Sequence, residues 1–149
     1  MASTEILIGM ADAGHVLIRP VGRRHPGLFD HQDANWIECD VGVAAGAFRG
    51  ALQVDVRADD LSAFLDDVAA LEDGTNGAAN FTPAEGSLAL AVARDAAGRL
   101  RVTGDAVDTA DADNRLRFAF DIDEPSLRET RASLERVLAA YPVVGTTGA

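Results

Sequence analysis

The residues that could bind a metal ion or transfer a proton lie close together in one segment of the sequence. This segment contributes His25, Asp30, His31, Asp33 and, a few residues later, Cys39. Imidazole, carboxylate and thiolate groups are the usual protein ligands of transition metals. The two histidines are six residues apart, which matches no common ligand spacing, so we interpret the group as exposed loop residues beside a strand. His15 has no partner at ligand spacing, and we interpret it as structural.

Cys39 is the only cysteine of the chain. It alternates with Ile37 and Val41 on one apolar row, which predicts a buried thiol with a raised pKa and therefore a poor nucleophile. The sequence around it resembles no cysteine hydrolase motif. We interpret Cys39 as a packing residue, and a lone cysteine indicates a reducing compartment.

Carboxylates are the remaining candidates for chemistry, and many are adjacent in the sequence. Pairs occur at Asp59-Asp60, Asp66-Asp67, Glu72-Asp73 and Asp123-Glu124. Glycosidase chemistry requires two carboxyl groups about 5–10 Å apart in a cleft, whereas neighbouring acids on a helix are typical of a solvated face. The aspartates at 105, 108, 111 and 113 suggest a calcium loop but lack its central glycine and terminal glutamate. No phosphate-binding loop, nucleophile elbow or zinc-helix motif occurs, so we predict a non-catalytic binding protein with no metal and no cofactor.

Alternating and helical periodicities predict the elements that carry these groups. Period-two alternation predicts strands at residues 5–8, 15–18, 35–43, 48–56, 79–81, 87–94, 99–107 and 115–122. A period of 3.6 predicts one helix that begins with Asp59 or Asp60 as its cap and stops at Gly74. A second helix is predicted to begin after the cap Asp123 and to end before Pro142.

The predicted fold class is α+β, with an antiparallel β-sheet of about eight strands and two amphipathic helices packed on one face. A partly closed barrel or a sandwich with helices at one end is the alternative. We expect one domain over residues 1–149, with an N-terminal hairpin at 1–20 that Pro20 ends. After it we expect a long loop at 21–34, a core of sheet and helices at 35–145 and a frayed tail at 146–149. The sequence contains no internal repeat.

The charge balance limits the classes of partner. The chain carries 24 acidic and 13 basic residues, a net charge of −11, and every basic residue is arginine. Phosphate binding needs clustered cations, so we predict no direct nucleic-acid partner, and an anionic membrane surface is disfavoured too. No apolar run is long enough to cross a bilayer and no basic secretory signal precedes the first strand. We therefore expect a cytoplasmic protein.

Several segments resemble those of one protein family in order and spacing. They are Ala34-Asn35-Trp36-Ile37, Phe48-Arg49-Gly50, Phe81 with Glu85-Gly86-Ser87-Leu88, Leu116-Arg117-Phe118, and Tyr141-Pro142-Val143-Val144-Gly145. Together they resemble the WapI-like immunity proteins, the antitoxins encoded beside bacterial contact-dependent and polymorphic toxins. The resemblance implies inhibition of a cognate toxin domain by direct binding, and this toxin is often a nuclease.

The acidic surfaces are the predicted partner-binding residues, since carboxylates can imitate the phosphates that a basic nuclease holds. One set is Asp59, Asp60, Asp66, Asp67, Glu72 and Asp73, and the other is Asp105, Asp108, Asp111 and Asp113. Two other functions stay open: a small-ligand domain that holds an anion on Arg99, Arg101, Arg115 and Arg117, and an enzyme that uses the loop histidines or acids.

Overall fold

The computed structural model describes residues 4–30, 32–83, 86–108 and 114–145. Its strands are β1 (Ile6–Gly9), β2 (His15–Arg23), β3 (Trp36–Ala45), β4 (Phe48–Arg57), β5 (Ala78–Phe81), β6 (Leu88–Arg94), β7 (Leu100–Val107) and β8 (Arg115–Ile122), and its helices are α1 (Ala58–Glu72) and α2 (Glu124–Ala140). The predicted α+β class with eight antiparallel strands and two helices is confirmed. No helix in the described parts of the chain has the length and apolarity needed to span a membrane.

The eight strands form two separate sheets instead of one continuous sheet. Strands β1–β4 pair in sequential order in the first sheet, and β5–β8 do so in the second. In β3 the apolar residues at alternating positions, Ile37, Cys39, Val41 and Val43, are buried as predicted. The inner faces of both sheets and the apolar stripes of both helices belong to one hydrophobic core.

The fold consists of two structural repeats that the sequence does not display. Each repeat is a four-stranded antiparallel sheet followed by a helix. The helices are exchanged between repeats, because α1 packs beside β5 of the second sheet and α2 packs beside β1 of the first, and the two helices also contact each other. This reciprocal arrangement joins the halves into one unit.

Helix side chains provide the hydrogen bonds that the outermost strands would otherwise lack. At β1, the Thr130 hydroxyl of α2 donates to the Leu7 carbonyl at 2.7 Å, and the Ser133 hydroxyl accepts from the Leu7 N–H at 3.3 Å. At β5, Asp67 of α1 accepts a hydrogen bond from the Asn80 N–H at 3.3 Å. An uncovered strand edge is a template for aggregation, so these contacts both protect the edges and fix the helices against them.

Strand β8 connects the second sheet to one end of the first. Phe120 lies against the β1–β2 turn, where a Cβ at Gly14 would come within 2.6 Å of its ring, and Leu116 packs over Gly50 of β4. In the first sheet, His15 pairs with Ala44 and Val43 with Gly50, so the positions that β8 contacts lie at the same level of the sheet.

Two predicted boundaries were wrong. Pro20 does not end β2, because the strand continues to Arg23. The register shifts between Pro20 and Gly22, and a β-bulge of this kind accommodates a proline that has no backbone N–H to donate. Neither Asp59 nor Asp60 is the cap of α1, because β4 runs directly into the helix and Arg57 takes the cap position. Asp60 nevertheless accepts a hydrogen bond from the Arg57 N–H at 3.0 Å from within the first turn. The predicted cap of α2 is confirmed, since Asp123 accepts from the Ser126 N–H at 2.8 Å.

Replacing Thr130 with Val tests the edge contact at β1. The change keeps the shape of a fully buried side chain but removes the donor to the Leu7 carbonyl, so we expect the free energy of unfolding to fall by about 1–3 kcal/mol. Thr103 is exposed on the outer face of β7, and T103V should change it by less than about 0.5 kcal/mol. Urea unfolding measures both, and equal small effects would show that the β1 contact contributes nothing.

Candidate partner-binding surfaces

Three of the α1 acids share the solvent side of the helix. Asp59, Asp66 and Asp73 recur every seven residues, about two helical turns, and so lie on one side opposite the buried stripe. Asp66 and Asp73 are exposed, and Asp59 forms an ion pair with Arg57 at 3.5 Å. The structure thus brings half of the first predicted acidic set together on one surface, and we call these three residues the α1 acidic face.

The other three acids of this set bind groups within the fold. Asp60 holds the first turn of α1, and Asp67 covers the edge of β5. Glu72 lies between the helices, where it accepts from the Arg131 guanidinium at 2.5 Å and pairs with Arg128 at 3.8 Å. Their charges are directed inward or along the helix flanks, so they form no continuous surface with the α1 acidic face.

Local contacts shift the titration of two α1 carboxyls in opposite directions. Partial burial is the largest effect at Asp60 and raises its pKa, although the Arg57 N–H acts in the other direction. Hydrogen bonds from the Thr75 hydroxyl and N–H lower the pKa of Asp73, with distances of 2.5 and 2.9 Å. Asp73 is therefore ionised at neutral pH and keeps its charge to lower pH than a free aspartate.

Only two residues of the second predicted acidic set, Asp105 and Asp108, lie in the described parts of the chain. Asp111 and Asp113 lie outside the described residues. Asp105 pairs with Arg115 at 3.4 Å and with Arg117 at 3.9 Å, and Asp108 accepts from the Asn114 amide at 3.0 Å. Asp105 is therefore neutralised by two neighbours and adds no free negative charge.

The arginines considered for anion binding face solvent but are paired with carboxylates. Arg101 binds Asp121 at 3.0 Å and Arg99 binds Asp95 at 3.2 Å, while Arg115 and Arg117 share Asp105. An anionic ligand would have to displace these acids. The surface is an open sheet face with small residues between the charges, among them Ala89, Ala91 and Thr103.

The metal-like grouping in the loop is not assembled among the described residues. His31 lies outside them, and within the described chain no three groups from His, Cys, Asp and Glu are placed to hold an ion. Asp30 instead accepts from the Asp33 N–H at 2.9 Å and shapes the loop. Cys39 is buried as predicted, and burial, together with the negative charges of Asp55 and Asp40, raises the pKa of its thiol to about 12.

A further polar surface covers the outer face of the first sheet, and sequence reasoning did not single it out. Val21, Glu38, Asp40, Gln53 and Asp55 line a depression there. The signal was present, because Glu38 and Asp40 alternate with the buried row of β3. Alternation alone does not show that Asp55 of β4 lies directly opposite Glu38, which follows from the strand register.

Comparison with known proteins identifies the class of this antiparallel α+β chain as an immunity protein. The family model "Immunity protein WapI-like family" matches residues 6–142, and the chain belongs to that family. No curated protein matches the sequence. Among solved structures, the chain is similar to one from the "Crystal structures of trypanosoma bruciei MRP1/MRP2", with 11% identity, a TM-score of 0.47 and coverage of 93% of this chain and 84% of that one.

Neutralising Glu72 and Asp66 separately distinguishes carboxylates used by the fold from those on the surface. We expect E72Q to lower the free energy of unfolding by about 1 kcal/mol, because it weakens the charged contact between the helices. D66N, at an exposed position on the same helix, should change stability by less than about 0.5 kcal/mol. Thermal unfolding of both variants measures the difference, and a larger loss in D66N would contradict this assignment.

Proposed function

We propose that this protein neutralises a cognate bacterial toxin by binding its toxic domain directly, in a one-to-one complex and without catalysing a reaction. The observation that carries the proposal is the family match over residues 6–142, because an immunity protein acts on a toxin partner. We further propose that the complex forms in the cytoplasm, in keeping with a single cysteine that is buried and forms no disulfide.

The charge of the chain favours a basic toxin, with a nuclease as the proposed class. A net charge of −11 attracts a cationic surface over a long range and accelerates association. A nuclease must present cations to hold nucleic acid, and carboxylates at the same spacing can occupy that surface. The protein then competes with the substrate of the toxin.

The α1 acidic face is the first candidate for this contact. Asp66 and Asp73 combine a common direction with access to solvent, while Asp59 on the same side is half-buried and paired with Arg57. Asp60, Asp67 and Glu72 contribute by positioning the helix that carries them. Asp105 and Asp108, with Asp111 and Asp113 beside them in the sequence, form the second candidate. Its charge is smaller where Arg115 and Arg117 neutralise Asp105. The paired arginines favour no separate anion-binding function.

The test uses the C-terminal toxin domain encoded by the gene adjacent to that of this protein. We expect a one-to-one complex on gel filtration and loss of toxin activity at equimolar ratio. Removing the two exposed charges of the α1 acidic face with D66N and D73N should slow association about threefold to tenfold at low ionic strength and by much less at high salt, because Debye screening removes the attraction. Stopped-flow mixing measures the rates.

The double variant D121N/E129Q is the matched control, since it also removes two negative charges, one from an exposed aspartate on the second sheet and one from an exposed glutamate on α2. Equal rates for the α1 variant and the control would remove the α1 acidic face from the contact but leave the function intact. Absence of a complex, together with undiminished toxin activity at equimolar ratio, would refute the proposed function itself.

A further inference from the structure

Large apolar side chains are exposed at one end of the first sheet. Among the described residues the exposed ones are Val21, Leu28, Phe29 and Val143, together with Phe48, which lies at the opposite end at the β3–β4 turn. Leu28 and Phe29 are neighbours in the loop between β2 and β3, with 46% and 79% of their surfaces exposed, and Val21 precedes that loop in β2. Single exposed apolar residues are ordinary, but a group of them marks an interaction surface.

Hydrogen bonds bring the C-terminal segment to the same end. The buried Asn35 side chain accepts from the Val144 N–H at 2.7 Å and donates to its carbonyl at 3.0 Å. Arg23 donates to the Pro142 carbonyl at 2.6 Å. Val143 therefore lies at the base of the loop that carries Leu28 and Phe29. We call Val21, Leu28, Phe29 and Val143 the apolar end.

The base of this loop is fixed before any partner arrives. Arg24 donates its N–H to the Trp36 carbonyl at 2.9 Å and its guanidinium to Asp55 at 2.6 Å, while Arg23 binds the Ala34 carbonyl at 2.8 Å. Leu28 donates its own N–H to the His25 carbonyl at 3.3 Å. Presenting an aromatic side chain from a loop whose base is held by hydrogen bonds lowers the entropy lost on binding.

The charges around the apolar end determine the chemistry of the partner. Asp30 and Asp33 lie in the loop, and Glu38, Asp40 and Asp55 lie beside Val21 on the outer face of the sheet. Arg19 and Arg24 pair with Asp40 and Asp55, so acids outnumber the neighbouring exposed arginines. A negative rim around an apolar centre is complementary to an apolar pocket bordered by Lys and Arg. It also repels a second copy of this chain, whose net charge is −11.

The apolar end continues into the α1 acidic face. Ala58, the first residue of α1, donates its N–H to the Asn35 carbonyl at 2.9 Å, and Arg57 lies over the Trp36 ring at 5.7 Å while pairing with Asp59. One partner can therefore contact the loop and the first turn of α1 together.

We propose that Leu28 and Phe29 insert into an apolar pocket of the cognate toxin domain whose rim is lined by Lys and Arg. The proposal rests on the proposed function and identifies the surface of this protein that binds. Phe29 is the energetic centre of the contact, since buried aromatic anchors dominate interfaces. The carboxylates around it guide the approach of the basic rim.

The experiment compares F29S with F48S in binding to the toxin domain encoded by the adjacent gene. Phe48 is also exposed, at 67%, but lies at the β3–β4 turn, at the opposite end of those strands. We expect F29S to weaken affinity about 30-fold or more, mainly through faster dissociation, and F48S to change it by less than about threefold. Both variants should keep the wild-type melting temperature, because neither side chain is packed.

A third variant, E38Q, tests the charge of the partner rim. It should slow association about twofold to threefold at low salt, with no difference at high salt. Equal affinities for F29S and F48S, beside normal wild-type binding, would overturn the inference and leave the proposed function standing. If the association rate of the wild type does not depend on salt, the inference that the pocket of the toxin has a basic rim is wrong.

The oligomeric state of the wild type and of F29S tests the alternative that a second copy of this chain binds the apolar end. We expect both to elute as monomers on gel filtration. A wild-type dimer that F29S dissociates would assign the apolar end to self-association instead of toxin binding. If the wild type does not bind the toxin domain at all, the proposed function fails first.

Discussion

The structure depends on covering two sheet edges with helix side chains. Strands β1 and β5 each lack a neighbour on one side, and each is completed by the helix of the other repeat through Thr130 and Ser133 or through Asp67. At β1 the contacts to Leu7 are partly buried, and a buried backbone group without a partner costs free energy comparable to a lost hydrogen bond. The Asn80 contact at β5 is exposed to solvent and contributes less. The exchange of helices therefore ties the stability of each half to that of the other, and two small sheets become one cooperative core.

This constraint also determines which charges remain for a partner. Carboxylates in the first turn of α1, on its β5 flank and between the helices are needed by the fold, as Asp60, Asp67 and Glu72 illustrate. Asp66 on the solvent side of α1 and Glu38 on the outer face of the first sheet are exposed to solvent instead. Adjacent acids in the sequence thus have different roles, because consecutive residues on a helix point about 100° apart.

Local pattern predicted the elements better than it predicted their partners. The alternation in β3 identified its buried face, and Asp123 was recognised as a cap because a cap needs only its own following turn. Thr130 and Ser133 were missed because their partner, Leu7, is more than 120 residues away in the sequence. Helix propensity depends on neighbouring residues only, so it does not predict that a buried hydroxyl will hydrogen-bond to the edge of a distant strand.

The division into two sheets was predicted only in the sandwich alternative, for a related reason. Period two shows which face of a strand is buried, but it does not show which strand lies beside it. The chain leaves the first sheet at Arg57, where α1 begins directly, and the next strand starts a new sheet beside that helix. Likewise, the pairing of Arg115 and Arg117 with Asp105 depends on strand register, so the sequence alone suggested a freer cationic surface than the structure has.

Some elements of this fold are held in place by packing and hydrogen bonds, and others are open to solvent, which limits the ways in which it can bind another protein. One end of the first sheet is occupied by β8, and both helices are held against strand edges, so moving any of them would expose core residues and unpaired backbone groups. The accessible parts are the outer sheet faces, the solvent side of α1 and the loop before β3. These features favour docking of nearly rigid surfaces over enclosure of a small molecule. An inhibitor that covers a basic surface needs no cleft of its own, because its affinity depends on shape, apolar anchors and opposite charge.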